Sequence, residues 1–177
     1  MMDNFKEEIV VPRSTLLPNL LYIIAWLFLI FFGVIAVWSL QFLFLMFSFA
    51  TLIMCVSSAA AAIAIFLFKD RLKVEYEYAF TNGVLDFARV FRNSSREELG
   101  SMNVKNVSAC GHVAHSSFQR YLSMKDVEKK NWFLNRDGNL FYFYYEKDNK
   151  KHMIIIEPSE ELVDLIRRYL PFGVYQG

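Results

Sequence analysis

The sequence STLLPNLLYIIAWLFLIFFGVIAVWSLQFLFLMFSFATLIMCVSSAAAAIAIFLF, residues 14–68, decides the fold because it contains no charged side chain. A helix needs about 20 apolar residues to cross the ~30 Å hydrocarbon core of a bilayer. The run is too long for one membrane span and long enough for two. We therefore expect helices over residues 17–38 and 44–67, joined by a turn near Ser39, Leu40 and Gln41.

The placement of basic residues predicts the orientation of this hairpin. The expected turn has no Lys or Arg, whereas Arg13, Lys69, Arg71 and Lys73 flank the outer ends of the spans. The positive-inside rule then places both termini in the cytoplasm and makes the protein a multi-pass protein of the inner (plasma) membrane. Neither span contains an ionisable Asp, Glu, Lys, Arg or His, so we expect an anchor and not a transporter or pump.

These boundaries divide the chain into a cytoplasmic N-terminal arm (1–16), a two-helix transmembrane hairpin (17–68) and a cytoplasmic domain (69–177). The whole chain has a net charge of +1, and the third segment has no strongly basic face, so we do not expect nucleic acid as a partner. The partners that we expect are the lipid bilayer and a protein or a second copy of the chain.

Small side chains predict close packing of the two helices. With a turn centred near residue 41, a patch of serines and alanines on the second helix faces the first helix at equal depth. We favour packing within the hairpin over a contact between subunits. The predicted packing residues are Ala25, Gly33, Ser57, Ala60, Ala61 and Ala64.

The segment after the hairpin begins with a strand signal. Residues 72–80 alternate apolar and polar side chains, and Asn82-Gly83 is the pair that a type I′ turn prefers. The resulting hairpin places Lys73 opposite Arg92. Residues 92–100 are polar and predict a loop.

Farther along, the pattern is less regular. Strands are expected at 102–113, 140–145 and 153–156, and residues 114–136 predict a solvated excursion. Pro158 opens a final amphipathic helix with an apolar stripe. The stripe consists of Leu162, Leu165, Ile166 and Leu170.

This outline predicts a membrane α-helical hairpin plus an α+β soluble domain, an antiparallel pleckstrin-homology-like sheet with a C-terminal helix. The sequence also resembles an uncharacterised bacterial family of small two-span membrane proteins with a cytoplasmic pleckstrin-homology-like domain. The resemblance lies in MDNFKEEIVV (2–11), KDRLKVEYEYAFTNG (69–83) and EPSEEL (157–162). It implies architecture and no particular activity.

One cluster has side chains of the kind that bind metals. Cys110, His112 and His115 could supply three zinc ligands. Their spacing matches no standard zinc motif, so we favour a strand end with surface histidines and assign no metal, cofactor or catalytic residue.

Basic residues are candidates for contacts with anionic lipid headgroups. Acidic residues interrupt the tail clusters, which favours solvated loops. The candidates are Lys73, Arg92, Lys125, Lys129, Lys130, Lys147, Lys150 and Lys151.

The strand at 140–145 is very aromatic. Alternate side chains face opposite ways, so one row belongs in the core and the other needs cover. We favour packing on both faces over an exposed binding row.

Three functions follow from these features. The first is a non-enzymatic, membrane-anchored interaction or scaffold module. The alternative is a sensor of anionic lipid headgroups at the inner leaflet. A metal-dependent regulator or enzyme centred on Cys110 is the third.

Overall fold

The computed structural model describes residues 4–92 and 95–176. These residues divide into two compact units. The described residues of the helical unit are 14–74 with 91–92, and those of the β-rich unit are 4–13, 75–90 and 95–176.

The helical unit is a hairpin of two long helices. Helix α1 is Leu16–Leu45 and helix α2 is Phe49–Phe68, followed by a 3₁₀ turn at Lys69–Leu72. Both helices are long and apolar enough to cross a membrane. The predicted break near Ser39 is wrong, because the turn lies at residues 46–48. The Ser39 hydroxyl donates to the Ile35 carbonyl oxygen at 2.7 Å, so this polar side chain is satisfied inside the helix.

The less exposed positions of α1 and α2 recur every three or four residues, as in a coiled-coil seam. Cys55 Sγ lies 3.8 Å from the Ala36 carbonyl oxygen, which fixes the relative register of the helices. The sequence instead predicts a register in which the numbers of facing residues sum to about 84, so that Ala36 would lie beside Ser48. The seam contains Tyr22, Ala25, Leu29, Phe32, Ala36, Ser39 and Leu43 of α1 and Thr51, Cys55, Ser58, Ala62 and Ile65 of α2.

The later turn changes which small residues can pack within the hairpin. Ala25, Gly33 and Ala61 are half-buried. Ser57, Ala60 and Ala64 are exposed, and their prediction as packing residues within the hairpin is corrected. Ser57 and Ala64 each directly precede a seam residue, Ser58 and Ile65, and Ala60 lies midway between the seam residues Ser58 and Ala62.

The β-rich unit contains two four-stranded sheets. The first has the order β1-β2-β3-β4 and the second β5-β7-β8-β6. The strands are β1 Phe5–Val10, β2 Val74–Thr81, β3 Val84–Phe91, β4 Ser95–Asn103, β5 Val107–His112, β6 Val127–Trp132, β7 Phe141–Lys147 and β8 Lys150–Ile156; the helices are α3 Ser117–Leu122 and α4 Glu160–Arg167.

Strand β1 corrects the predicted boundary between arm and domain. It pairs antiparallel with β2, from Phe5 opposite Thr81 to Val10 opposite Tyr76. The N-terminal arm is therefore the first strand of the sheet, because β2 needs a partner for its backbone groups. The whole helical hairpin is inserted between two strands that lie side by side.

A buried polar cluster fixes the segment that follows β1. The Asn135 side chain donates to the Val11 carbonyl oxygen at 3.1 Å and to Glu157 Oε1 at 2.9 Å. It also accepts from the Arg13 backbone N–H at 2.7 Å. Asn135 is buried, so these bonds satisfy groups that water does not reach.

The predicted β2–β3 hairpin is confirmed. Asn82 and Gly83 have φ values of 50° and 96°, as a type I′ turn requires. The Arg92 backbone N–H donates to the Lys73 carbonyl oxygen at 3.0 Å, so these residues pair at its base as expected.

Besides β1, two further strands at sheet ends were missed, β4 and β6. The predicted loop over 92–100 overlaps β4, and the predicted excursion over 114–136 contains α3 and β6. Polar side chains occupy both strands because end strands are largely exposed. The expected strand at 102–113 is broken by a 3₁₀ turn at Val104–Asn106.

Both faces of β7 are packed, which confirms the favoured interpretation of the aromatic strand. Phe141 and Phe143 are fully buried on one face. Tyr142 and Tyr144 pack on the other against Phe118 and Tyr121, with ring centroids 5.3 and 4.8 Å apart. An exposed aromatic row is therefore wrong.

The C-terminal helix is confirmed as α4. The Ser159 side chain caps it by accepting from the Leu162 backbone N–H at 3.2 Å. Leu162 and Ile166 of the predicted stripe are buried, and so is Val163, which the stripe omitted.

Candidate functional site

A cleft of about 410 Å³ opens within the β-rich unit, between the end strand β4 and one face of the second sheet. Residues from β3, β4, β6, β7 and β8 line it, together with the β7–β8 turn. Clefts that combine apolar walls with a few polar groups are the usual places where ligands bind.

The sheet face that lines this cleft changes from apolar to charged toward the β7–β8 turn. Residues directly opposite each other on paired strands share a face. The rows run from Trp132, Ile156 and Phe141, through Lys130, Ile154 and Phe143, to Glu128, His152 and Tyr145, and end at Lys150 and Lys147. Inward-facing positions are ordinarily apolar, so the charged rows are the informative part of this face.

The third row is a linked set of polar groups. Glu128 lies 3.4 Å from Lys130 Nζ and 3.3 Å from His152 Nδ1. His152 Nδ1 and the Glu128 carboxylate are within ion-pair distance, but their alignment does not give a hydrogen bond. The His152 ring stacks on Tyr145 with centroids 5.2 Å apart. Burial, with a smaller effect from the Glu128 charge, raises the pKa of Tyr145, which keeps its hydroxyl protonated at neutral pH.

The rim of the cleft carries two lysines with free ammonium groups. Among the described residues, no side chain pairs with Lys147 or Lys150, and both are exposed at the ends of the β7–β8 turn. Asp148 and Asn149 form that turn with φ values of 53° and 59°. The type I′ turn makes β7 and β8 antiparallel neighbours. Lys147 and Lys150 are therefore directly opposite each other and lie on the same face of the sheet.

The floor and the far wall have different chemistry. Phe87 and Trp132 form an aromatic floor, with ring centroids 4.8 Å apart. The far wall consists of Leu99, Gly100 and Ser101 of β4. Leu99 and Ser101 lie on the same face of β4. Gly100 between them has no side chain, so the β4 backbone is open to the cleft at this position.

The structure brings together only some of the predicted lysines. Lys130, Lys147 and Lys150 line the cleft, whereas Lys125, Lys129 and Lys151 do not. Lys129 instead donates to the Leu122 carbonyl oxygen at 2.8 Å. Sequence reasoning missed His152, Trp132 and the β4 edge, because their convergence depends on the parallel pairing of β6 with β8.

Lys73 and Arg92 belong to a second site, in the helical unit, that we call the basic collar: Lys69, Arg71, Lys73 and Arg92. Arg92 donates to the Tyr22 hydroxyl, and its guanidinium lies 4.5 Å from the centre of that ring. Lys73 Nζ lies 4.9 Å from the same ring. The Tyr22 ring is therefore covered by two cations.

Asp70 links the collar. Its carboxylate lies 3.0 Å from Lys69 Nζ and 3.2 Å from Arg92 Nη1. Arg92 has a φ of 47°, a left-handed backbone that is uncommon for a residue with a side chain. Four basic groups and one carboxylate leave the collar positively charged.

The candidate metal ligands do not converge. Cys110 is fully buried, and burial raises the pKa of its thiol to about 12. His112 Nδ1 contacts Asn139 Oδ1 at 2.9 Å, and His115 Nδ1 contacts Ser117 Oγ at 2.8 Å. Within residues 4–92 and 95–176, no group of three or more His, Cys, Asp or Glu side chains could hold a metal ion.

Comparison with protein families shows a similarity over almost the full length. Residues 2–176 match the family model described as bacterial PH-like domain (DUF6106). No match was found among curated proteins or solved structures. The match covers nearly the whole chain, hairpin and both sheets included.

Proposed function

The chain belongs to the bacterial PH-like domain family, and from this premise we propose that it is a non-enzymatic, membrane-anchored interaction module. PH-like domains generally bind lipids or proteins and are generally not enzymes. In this proposal the hairpin holds the domain at the inner leaflet, and the domain binds a protein partner or a second copy of the chain.

The observation that carries this proposal is the insertion of an uncharged hairpin between two paired strands. β1 precedes α1, β2 follows α2, and the two strands lie side by side. A chain that crosses a bilayer twice between them has to return to the side from which it started. The pairing of β1 with β2 therefore supports an arrangement with both outer ends of the hairpin on one face of the membrane.

The distribution of charge supports the cytoplasmic face. The turn between α1 and α2 is Met46-Phe47-Ser48, without Lys or Arg. Arg13 and the basic collar flank the other ends of the helices. Under the positive-inside rule, the turn is translocated and the basic ends stay in the cytoplasm.

Membrane extraction tests the anchoring. We expect the full chain to stay in the membrane pellet after washing with alkaline carbonate and to leave it only with detergent. The matched variant replaces residues 14–73 with a short Gly-Ser linker and so keeps the Arg13 bond to Asn135. β1 and β2 can accommodate the linker because Val10 lies opposite Tyr76. This variant is expected in the soluble fraction. Release of the full chain by carbonate would contradict the proposal.

The second candidate function is recognition of anionic lipid headgroups, and the basic collar favours it. Each Lys or Arg close to an anionic surface contributes about 1 kcal/mol of attraction. Thermal unfolding of the full chain in nanodiscs tests this function. Headgroup recognition predicts a higher unfolding midpoint in phosphatidylglycerol than in phosphatidylcholine nanodiscs. The difference should be smaller for Arg92→Gln. Equal midpoints for the unaltered chain in the two lipids would contradict this function.

A further inference from the structure

We propose that the cleft binds an extended, acidic segment of a protein partner, whose backbone adds a strand at the edge of β4. This inference rests on the proposed function, since it names the kind of partner that the interaction module takes. The proposed peptide site contains no residue of the basic collar.

The first argument is the position of the two strands beside the cleft. β4 is the last strand of the first sheet and β6 is the last strand of the second. An end strand presents N–H and C=O groups that a further strand can pair with. At Gly100 the β4 backbone borders the cleft, and the space around this residue is open, since a Cβ built there would meet nothing within 4 Å. Addition of a strand to a sheet edge is a common way to recognise extended peptides.

The second argument is charge. Glu128 already contacts Lys130 and His152, so its charge is compensated inside the cleft. Lys147 and Lys150 have no such partner within the described part of the chain. The two lysines and Asp148 of the same turn give the rim a net charge of +1, which a carboxylate of a bound segment would balance.

The third argument is the arrangement of floor and rim. An extended chain places alternate side chains on one side at a spacing of about 7 Å, twice the ~3.3 Å rise per residue. A segment beside β4 can direct apolar side chains to Phe87 and Trp132 and carboxylates to Lys147 and Lys150. The segment that fits is therefore acidic with interspersed apolar residues.

An anionic membrane surface would contact fewer parts of this cleft than an extended peptide would. Lipid phosphates could neutralise Lys147 and Lys150, but they would leave the β4 edge without a partner and the aromatic floor without cover. A peptide satisfies the edge, the floor and the rim together, which is why we assign the cleft to a peptide.

The test presents a display library of random nine-residue peptides to the full chain in phosphatidylcholine nanodiscs. We expect enrichment of peptides with two or more Asp or Glu residues interspersed with apolar residues. Individual enriched peptides should bind the double variant Lys147→Glu/Lys150→Glu at least tenfold more weakly. The control, Lys125→Glu/Lys151→Glu, has the same net charge on lysines outside the cleft and should change binding less than twofold.

Three outcomes would overturn the assignment. If the peptides bind both double variants equally, the cleft is not their binding site, and the interaction module uses another surface. If no peptide in the library binds saturably, the cleft does not bind peptides. The proposed membrane anchoring would still be tested separately by carbonate extraction. A higher unfolding midpoint of the full chain in phosphatidylglycerol than in phosphatidylcholine nanodiscs that is lost in Lys147→Glu/Lys150→Glu, without enrichment of acidic peptides, would assign the cleft to lipid.

Discussion

Glu8 in β1 lies directly opposite Tyr78 in β2, although the entire helical hairpin separates them in the chain. The Glu8 carboxylate also accepts from the Ser159 backbone N–H at 2.9 Å, at the start of α4. Tyr78 is fully buried, and its hydroxyl accepts from the Glu157 backbone N–H at 3.3 Å. The N-terminal strand is thus bonded both to its neighbour in the sheet and to the C-terminal helix.

The buried Asn135 cluster should be needed for the stability of the β-rich unit. We expect Asn135→Ala to lower the free energy of unfolding by about 2 kcal/mol, because it leaves the Val11 carbonyl and the Arg13 N–H without their partner. Thermal unfolding of the full chain in detergent measures this. Asn131→Ala, at an exposed position of β6, is the control, and equal midpoints for the two variants would contradict the role of the cluster.

The helix seam predicts that enlarging Ala36 destabilises the hairpin and that enlarging Ala60 does not. Ala36→Leu adds volume next to Cys55, where the helices touch, and should destabilise the hairpin by about 1–3 kcal/mol. Ala60→Leu adds the same volume on an exposed face and should leave the unfolding midpoint in detergent unchanged. If Ala60→Leu instead dissociates a dimer, measured by light scattering, the small residues of α2 serve a contact between subunits.

The buried thiol of Cys110 predicts a loss of stability in alkali. Its pKa is raised from 9.0 to about 12, so between these pH values the unfolded chain gives up a proton that the folded chain keeps. The unfolded state then binds fewer protons, and the free energy of unfolding falls by up to about 1.4 kcal/mol for each pH unit from this group.

Replacement of Cys110 by alanine should remove that share of the pH dependence. Urea unfolding of the full chain at several pH values from 8 to 11, followed by tryptophan fluorescence, gives the two slopes. Cys55→Ala, on the helix seam, is the control. A slope for Cys110→Ala as steep as that of the unaltered chain would show that other groups account for the alkaline loss.

Local signals predicted much of the fold. The uncharged run predicts the helices, and Asn82-Gly83 predicts the β2–β3 turn, since each signal lies within the element that it forms. β1, β4 and β6 were missed for a different reason. β1 and β6 pair with strands distant in sequence, and β4 and β6 are end strands whose polar side chains resemble those of loops. The helix turn was misplaced because Ser39 satisfies its hydroxyl within α1.

The candidate site was predictable in its residue types and not in its geometry. The lysines were named from sequence, but three of them meet only because β6 lies parallel to β8 and a tight turn joins β7 to β8. In the basic collar, Arg92 contacts Tyr22 from a left-handed backbone conformation. Neither relationship leaves a periodic pattern in the sequence.

Membrane topology tests the central claim most directly. In a background with Cys55→Ala and Cys110→Ala, single cysteines replace Phe47 in the helix turn, Phe5 in β1 and Lys125 in the β-rich unit, all at exposed positions. A maleimide that cannot cross membranes is added to intact cells or to lysed cells. The account predicts that Phe47→Cys reacts in intact cells and that Phe5→Cys and Lys125→Cys react only after lysis. Labelling of Phe5→Cys or Lys125→Cys in intact cells, or of Phe47→Cys only after lysis, would contradict it.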